Sequence, residues 1–359
     1  PSKYLFVCVQ QVSRLLFDME NTTFDYDYNY SDDPHPVKLC RRDGDNTLGA
    51  HLSTIFYFMF LFSVFGNVMV LVIIHRFEKM TTVTNILLLN LVVSSLIFMS
   101  SLPFMAAYMQ LSEWIFGEVM CKIVGSTYYL GLYSSVLFLT LLTFDRHVAV
   151  VYSLGAMRLR NRSYAVTSCA IIWLVSALPC IKPMILFRTF TNFLDNKIYC
   201  EENADHFPNI DVDRLRTYGF YLQLLLFLIF PLVVIIYCYT RIAMTVLSSG
   251  LRAKFKTVRL IFIIVLLFFV CWTPFNVIQL LHYKTCEEAQ RRGYALHISR
   301  NLVYIYFCFS PILYTFVGKK FQNYFRQMLV KRFPRLKDHI SVSSYSKNCM
   351  ATKCTPSNP

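Results

Sequence analysis

IVGSTYYLGLYSSVLFLTLLTF, residues 123–144, runs without a charge and is followed at once by Asp145-Arg146-His147. A helix needs about 20 apolar residues to cross a hydrocarbon core of about 30 Å, so this run is long enough, and the Asp-Arg pair marks where it meets water. Runs of the same kind lie on both sides, at Leu52–Ile74, Val83–Leu111, Tyr164–Ile181, Thr217–Thr240, Leu260–Tyr283 and Gly293–Gly318, the last with one interior charge, Arg300. Backbone amides in lipid must be satisfied within the segment, so runs this long are helices rather than barrel strands. The expected fold is an all-α membrane protein, one seven-helix bundle over residues 49–318.

The formal net charge is +14, which raises the question of a nucleic-acid partner. Its distribution answers no. Lys and Arg collect in alternate connections: Arg76 and Lys79; Arg158, Arg160 and Arg162; Arg241, Arg252, Lys254, Lys256 and Arg259; then Lys319, Lys320, Arg326, Lys331 and Arg332. That bias places the amino terminus outside and the tail in the cytoplasm.

Residues 1–18 hold a short apolar segment, Tyr4–Val9, too poorly flanked for a signal peptide, and are expected to be an upstream extension with Met19 as the start. Residues 19–48 form an acidic leader in which Asp25, Asp27, Asp32 and Asp33 surround Tyr26, Tyr28 and Tyr30. It is too polar to fold alone. Its acids make those Tyr candidates for sulfation and for contact with a basic partner, in a salt-sensitive way; a solvated leader is the plainer alternative. Asn21-Thr22-Thr23 and Asn29-Tyr30-Ser31 are glycan acceptors, whereas Asn161-Arg162-Ser163 faces the cytoplasm and is discounted. At the other end, residues 319–332 set Phe321, Tyr324, Phe325 and Leu329 against Lys320, Arg326 and Lys331, as suits a helix lying on the membrane surface. Residues 333–359 are Ser/Thr-rich, a passive tail or one that phosphorylation makes anionic.

Of twelve Cys, four fall on the oxidising side: Cys40, Cys121, Cys200 and Cys286. Cys169, Cys180, Cys238, Cys271 and Cys308 lie in apolar helices, where a thiol packs as a small hydrophobe. Cys349 and Cys354 in the tail are open to acylation.

Several signatures now stand in order on the predicted helices: Gly66-Asn67, Cys121, Asp145-Arg146, Trp173, Pro231 with Tyr239, Cys271-Trp272-Thr273-Pro274, and Pro311 with Tyr314. Together they resemble the rhodopsin-like G-protein-coupled receptors. Ser101-Leu102-Pro103, Trp114-Ile115-Phe116-Gly117, the short third cytoplasmic loop and the outer Cys40 and Cys286 resemble the chemokine receptors. Leu132-Tyr133-Ser134-Ser135, Thr285-Cys286-Glu287, and Tyr294-Ala295-Leu296 with Arg300-Asn301-Leu302 are most similar to the XC (lymphotactin) branch.

The resemblance implies disulfides Cys121–Cys200 and Cys40–Cys286, free thiols being the alternative. It implies that Arg146 is held by Asp145 at rest and released to meet a G protein, although an inner pair of charges can also simply snorkel. Trp272 below Pro274 would transmit motion through the bend of the sixth helix, with Tyr239 and Tyr314 stabilising the open inner face; ordinary aromatic packing is the alternative. Arg300, about two helical turns below the outer face at 1.5 Å per residue, would face a pocket with Tyr108, Tyr128, Tyr129, Phe275, Gln279 and Tyr304. Ligand acids, Glu201 or Glu202 would pair with it. Three positions depart from the family: Ser95 replaces an intramembrane Asp, Ser310 an Asn, and His147 a Tyr. Because a hard cation prefers carboxylate, the family's sodium site is expected to be lost.

The expected function is that of a plasma-membrane XC-like chemokine receptor. It would bind a small basic chemokine outside and activate an inhibitory-class G protein inside, driving chemotaxis and calcium signalling in the immune response, with arrestin and receptor kinases engaging the tail. A chemokine-scavenging receptor with weak coupling is the alternative. A seven-helix pump or retinal protein would need a seventh-helix Lys or an acid relay, and neither is present. No metal-ligand cluster, nucleophile elbow or phosphate loop is legible, so no enzyme, cofactor or metal is expected.

Overall fold

The computed structural model describes residues 47–77, 82–152, 160–192, 196–202, 212–249, 252–281, 286–317 and 319–332. The first span is α1 (Thr47–Phe77), the second α2 (Val83–Met99) with α3 (Leu102–Leu111), and the third α4 (Gly117–Val151). The fourth is α5 (Arg162–Ala177), a 3₁₀ turn at Leu178–Cys180 and α6 (Ile181–Leu186), followed by the hairpin β1 (Phe187–Thr191) and β2 (Ile198–Glu202). The fifth is α7 (Val212–Leu224), a π turn at Leu225–Ile229 and α8 (Phe230–Ser249); α9 (Arg252–Leu280) and α10 (Cys286–Val317) are the sixth and seventh; α11 (Lys319–Arg332) ends the described chain.

Six of these spans are long and apolar enough to cross a membrane by length and composition over the described residues. The seventh, α10, starts at Cys286, ahead of the expected Gly293, and its outer turns carry Glu287, Glu288, Arg291 and Arg292. It packs against α9 and α1 all the same.

Proline explains where the helices break. The second span, expected to run unbroken, parts at Ser100-Ser101 because Pro103 has no amide for the carbonyl of Met99. Ser100 Oγ and Ser101 Oγ instead donate to the carbonyls of Ile97 and Phe98 at 2.7 and 2.8 Å, the back-bonding that bends helices. Pro179 lies in the 3₁₀ turn and Pro231 follows the π turn.

The third span is the hub. In its most apolar window 67% of residues are buried inside the protein, against 33% in the first span, where Phe58, Leu61 and Phe65 present 65–68% of their surface outward, as a lipid-facing wall should. At Gly131 the third span passes so close to the second that an added Cβ would lie 2.4 Å from the amide nitrogen and 2.6 Å from the Cα of Phe98. Backbone cannot step aside as a side chain does. Gly131→Ala is therefore expected to lower stability by about 1–3 kcal/mol, the range for overpacking. The check is the thermal midpoint of the purified receptor, with Gly293→Ala, which meets nothing within 4 Å, as the control expected to hold or slightly raise the midpoint through helix propensity.

Aromatic packing fills the centre, where Phe98, Phe138, Phe268, Trp272 and Phe307 join one buried cluster. At the inner end Tyr324 of α11 stacks on Phe77 at 5.0 Å, which sets α11 beside the first span.

Candidate functional site

The site at the disulfide-bonded end of the bundle is assembled by a lid. In the antiparallel hairpin Thr189 stands opposite Cys200, and Cys200 is bonded to Cys121 at the outer start of the third span, with Cα atoms 5.7 Å apart. Trp114, buried to 1% exposure, locks the lid's other margin. Its amide donates to the Ile198 carbonyl and its Nε1 to the Gly117 carbonyl, both at 2.8 Å. Tyr108 meets the Trp114 ring edge-on at 5.6 Å, and its hydroxyl accepts from the Cys200 amide at 3.4 Å.

Under this lid lies a cavity of about 280 Å³. Tyr108, Tyr128, Tyr129, Glu201, Glu202, Arg300 and Tyr304, all anticipated from sequence, line it together with Ser101, Met105, Trp114 and Phe187, which were not anticipated as site residues. Ser101 reaches the cavity only because the helix breaks there. Trp114 was legible as a motif but not as a wall, and no local signal marks Phe187 in the hairpin.

Arg300 sits at the heart of the cavity wall. Its guanidinium carbon is 5.9 Å from the Tyr128 ring centre and 5.8 Å from that of Phe275, within the range of cation–π attraction. Among the described residues Arg300 makes no contact-distance ion pair with Glu201 or Glu202, although the Glu201 carboxylate attracts it at longer range, and its Nε has no hydrogen-bond partner. Glu202 is already held by Lys182 of α6 at 3.4 Å and by Arg216 of α7 at 3.7 Å. Gln279 is also displaced from its expected place. Neither it nor Phe275 lines the cavity, and the Gln279 backbone carbonyl accepts from Arg292 at 2.9 Å.

At the opposite end, Asp145 and Arg146 are 3.3 Å apart. Asp145 is buried and its main partner is Arg160, whose Nε and Nη2 reach the two carboxylate oxygens at 2.6 and 2.9 Å. Such a fork on a buried acid is the strongest kind of ion contact. Thr84 completes the cluster, donating to Asp145 at 3.2 Å and accepting from Arg146. Sequence placed Arg160 only within a basic loop. His147 is 2% exposed, enclosed by the rings of Phe144, Tyr152 and Tyr237 at 5.6–5.9 Å. Tyr239 meets Phe262 edge-on at 4.9 Å, joining the fifth and sixth spans.

Between the two ends, Trp272 is fully buried and stacks on Phe275 at 5.4 Å, one residue past Pro274. Asn67, Ser95, Ser135 and Ser310 border a void of about 10 Å³, room for about one water. Asn67 Nδ2 donates to Ser95 Oγ at 3.3 Å and to Ser63 Oγ at 3.1 Å. The void offers neutral oxygens and an amide donor and no carboxylate.

Cys40, Tyr26, Tyr28, Tyr30, Asn21 and Asn29 lie outside the described residues. Cys286, Pro311 and Tyr314 belong to α10 by backbone, with their side chains outside the description.

Residues 66–314 match the family described as 7 transmembrane receptor (rhodopsin family). The chain is 33% identical to the C-C chemokine receptor type 3 of Cavia porcellus over 87% of its own length and 86% of that protein's. It is 34% identical to the C-C chemokine receptor type 1 of Homo sapiens, covering 87% and 89%, and 34% identical to the C-C chemokine receptor 1-like protein 1 of Mus musculus, covering 77% and 78%. The chain thus belongs to the rhodopsin family of seven-transmembrane receptors and, within it, to the chemokine receptors. It is a multi-pass membrane protein and not an enzyme.

Proposed function

We propose that the protein binds a small, basic chemokine at its outer face and activates an inhibitory-class heterotrimeric G protein at its inner face, directing leukocyte migration and calcium signalling from the plasma membrane. The observation that carries this reading is the pairing of two ends of one bundle: a lidded aromatic cavity lined by Arg300, whose Nε has no hydrogen-bond partner, at one end, and the Asp145–Arg146 cluster at the other. The disulfide at the cavity end supports placing that end outside, since such bonds persist in oxidising surroundings.

In this account the ligand's amino-terminal segment enters the cavity and offers Arg300 a carboxylate or carbonyl, while the acidic leader with Tyr26, Tyr28 and Tyr30 grips the ligand's basic core. Occupancy loosens Trp272 at the Pro274 bend, the inner half of the sixth span moves out, and Arg146 leaves Asp145. Tyr239 and Tyr314 then support the open face. A ligand shifts such a pair of states only through its difference in affinity for them. The XC branch is favoured within the chemokine receptors by the Arg at position 300, where many CC receptors have Glu.

A scavenging receptor that couples weakly is the second reading, favoured by His147, whose ring nitrogens find no hydrogen-bond partner among the described residues. The test is a G-protein dissociation assay in cells, challenged with an XC chemokine and a panel of CC chemokines. Selective activation by the XC ligand is expected; activation by CC ligands alone would remove the XC assignment, and uptake without dissociation would favour scavenging.

Loss of the sodium site is part of the same reading. Replacing sodium with a bulky organic cation at constant ionic strength is expected to leave agonist affinity unchanged, because the void at Ser95 has no carboxylate to hold the ion. A rise in affinity on sodium removal would contradict it.

A further inference from the structure

Between the cavity and the inner cluster runs a buried polar circuit. Tyr133 Oη donates to Gln223 Oε1 at 2.7 Å, Gln223 Nε2 to Asn276 Oδ1 at 3.2 Å, and Asn276 Nδ2 to the Trp272 carbonyl at 3.0 Å. Trp272 Nε1 donates to the Phe227 carbonyl at 3.4 Å, and the Phe227 ring stacks on Tyr133 at 4.0 Å. The circuit therefore closes on itself across the third, fifth and sixth spans. No member is more than 8% exposed, and each carboxamide donates in the same sense around the chain. In so dry a place an unmade bond is expensive, so the set stands or falls as a unit.

Two prolines explain why these groups meet. Pro231 has no amide hydrogen for the Phe227 carbonyl four residues before it, and the Trp272 indole donates there instead. In the sixth span the bond from Asn276 to the Trp272 carbonyl straddles Pro274, so the point where a proline lets a helix bend is bracketed by a side chain.

We propose that Tyr133, Gln223 and Asn276 are positioning residues that hold the Pro274 bend against the fifth span in the resting arrangement. The cavity reaches this latch through Tyr129, which lines the cavity and whose ring lies 5.7 Å from that of Tyr133. The proposal rests on the switch reading above. Movement of the inner half of the sixth span about Pro274 shifts Trp272 relative to Asn276, which Gln223 and Tyr133 hold in place, and relative to the Phe227 carbonyl, so these bonds belong to the closed state and bias the equilibrium toward it.

The test uses the full chain in lipid nanodiscs without ligand. A polarity-sensitive fluorophore is attached at Arg259→Cys near the inner end of the sixth span, with Cys349 and Cys354 replaced by Ser. Tyr133→Phe keeps the ring stack and removes the hydroxyl; Asn276→Leu removes both carboxamide links. Each is expected to red-shift the emission, raising the open population by about two- to tenfold, the worth of a net hydrogen bond. The double variant is expected to go no further than Asn276→Leu alone. Emission matching the parent in both single variants, or shifts that simply add, overturns the latch. Should Asn276→Leu fail to fold, Tyr133→Phe decides alone. A parallel G-protein assay separates the two readings: an Arg146→Ala receptor that signals normally sinks the switch and spares the fluorescence result, whereas loss of signalling with unmoved fluorescence sinks only the latch.

Discussion

Replacing Arg300 by Ala is expected to lower agonist potency by about 30-fold or more while surface expression stays near the wild-type level. The guanidinium lines the cavity with aromatic faces on two sides and without an ion-pair partner among the described residues. A charge held this way inside a membrane protein is costly to keep and is functional by default. Its missing partner is what the ligand brings, and truncating one member of a buried charged contact costs about 2–5 kcal/mol, of which 2 kcal/mol is about 30-fold. Arg300→Lys should recover part of the potency, because an ammonium keeps the charge and lacks the planar fork. The check is a concentration–response curve with surface receptor counted in the same cells. Equal losses of expression and response would make Arg300 a folding residue.

Asp145→Asn is expected to raise ligand-free signalling and to lower thermal stability by about 3 kcal/mol. One buried carboxylate holds two guanidiniums here, and removing one partner of a buried pair is far more disruptive than removing both. The magnitude is set at the lower end of the usual range because Arg146 and Arg160 keep 20% and 26% of their side chains exposed. The double variant Asp145→Asn with Arg160→Ala leaves one fewer stranded cation and should regain part of the lost stability. Melting of the purified variants checks this, and a double variant less stable than Asp145→Asn alone would contradict it.

Much of this was legible in the residues themselves. Length and apolarity forced helical spans because lipid leaves no other way to satisfy the backbone, and the resemblance paired Cys121 with Cys200 as the structure does. Seven of the expected ligand contacts share one cavity because Tyr108, Tyr128, Tyr129, Arg300 and Tyr304 lie near the outer ends of their spans, and the disulfide brings Glu201 and Glu202 over them. What could not be read depends on contacts between distant segments. Ser101 becomes a cavity residue only through a break set by Pro103. Arg160 is one of several basic residues in its loop until the fourth span aims it at Asp145. Glu202 was a fair candidate for Arg300 by sequence, yet the fifth span delivers Arg216 to it first.

The most direct test of the whole account measures labelled-chemokine binding and G-protein dissociation in the same cells for the wild type and for Arg146→Ala. The account predicts that the variant binds the ligand that activates the wild type and no longer releases the G protein, because the cavity and the inner cluster sit at opposite ends of the bundle. A variant that keeps both activities, or a wild type that binds chemokine without ever releasing a G protein, would contradict it.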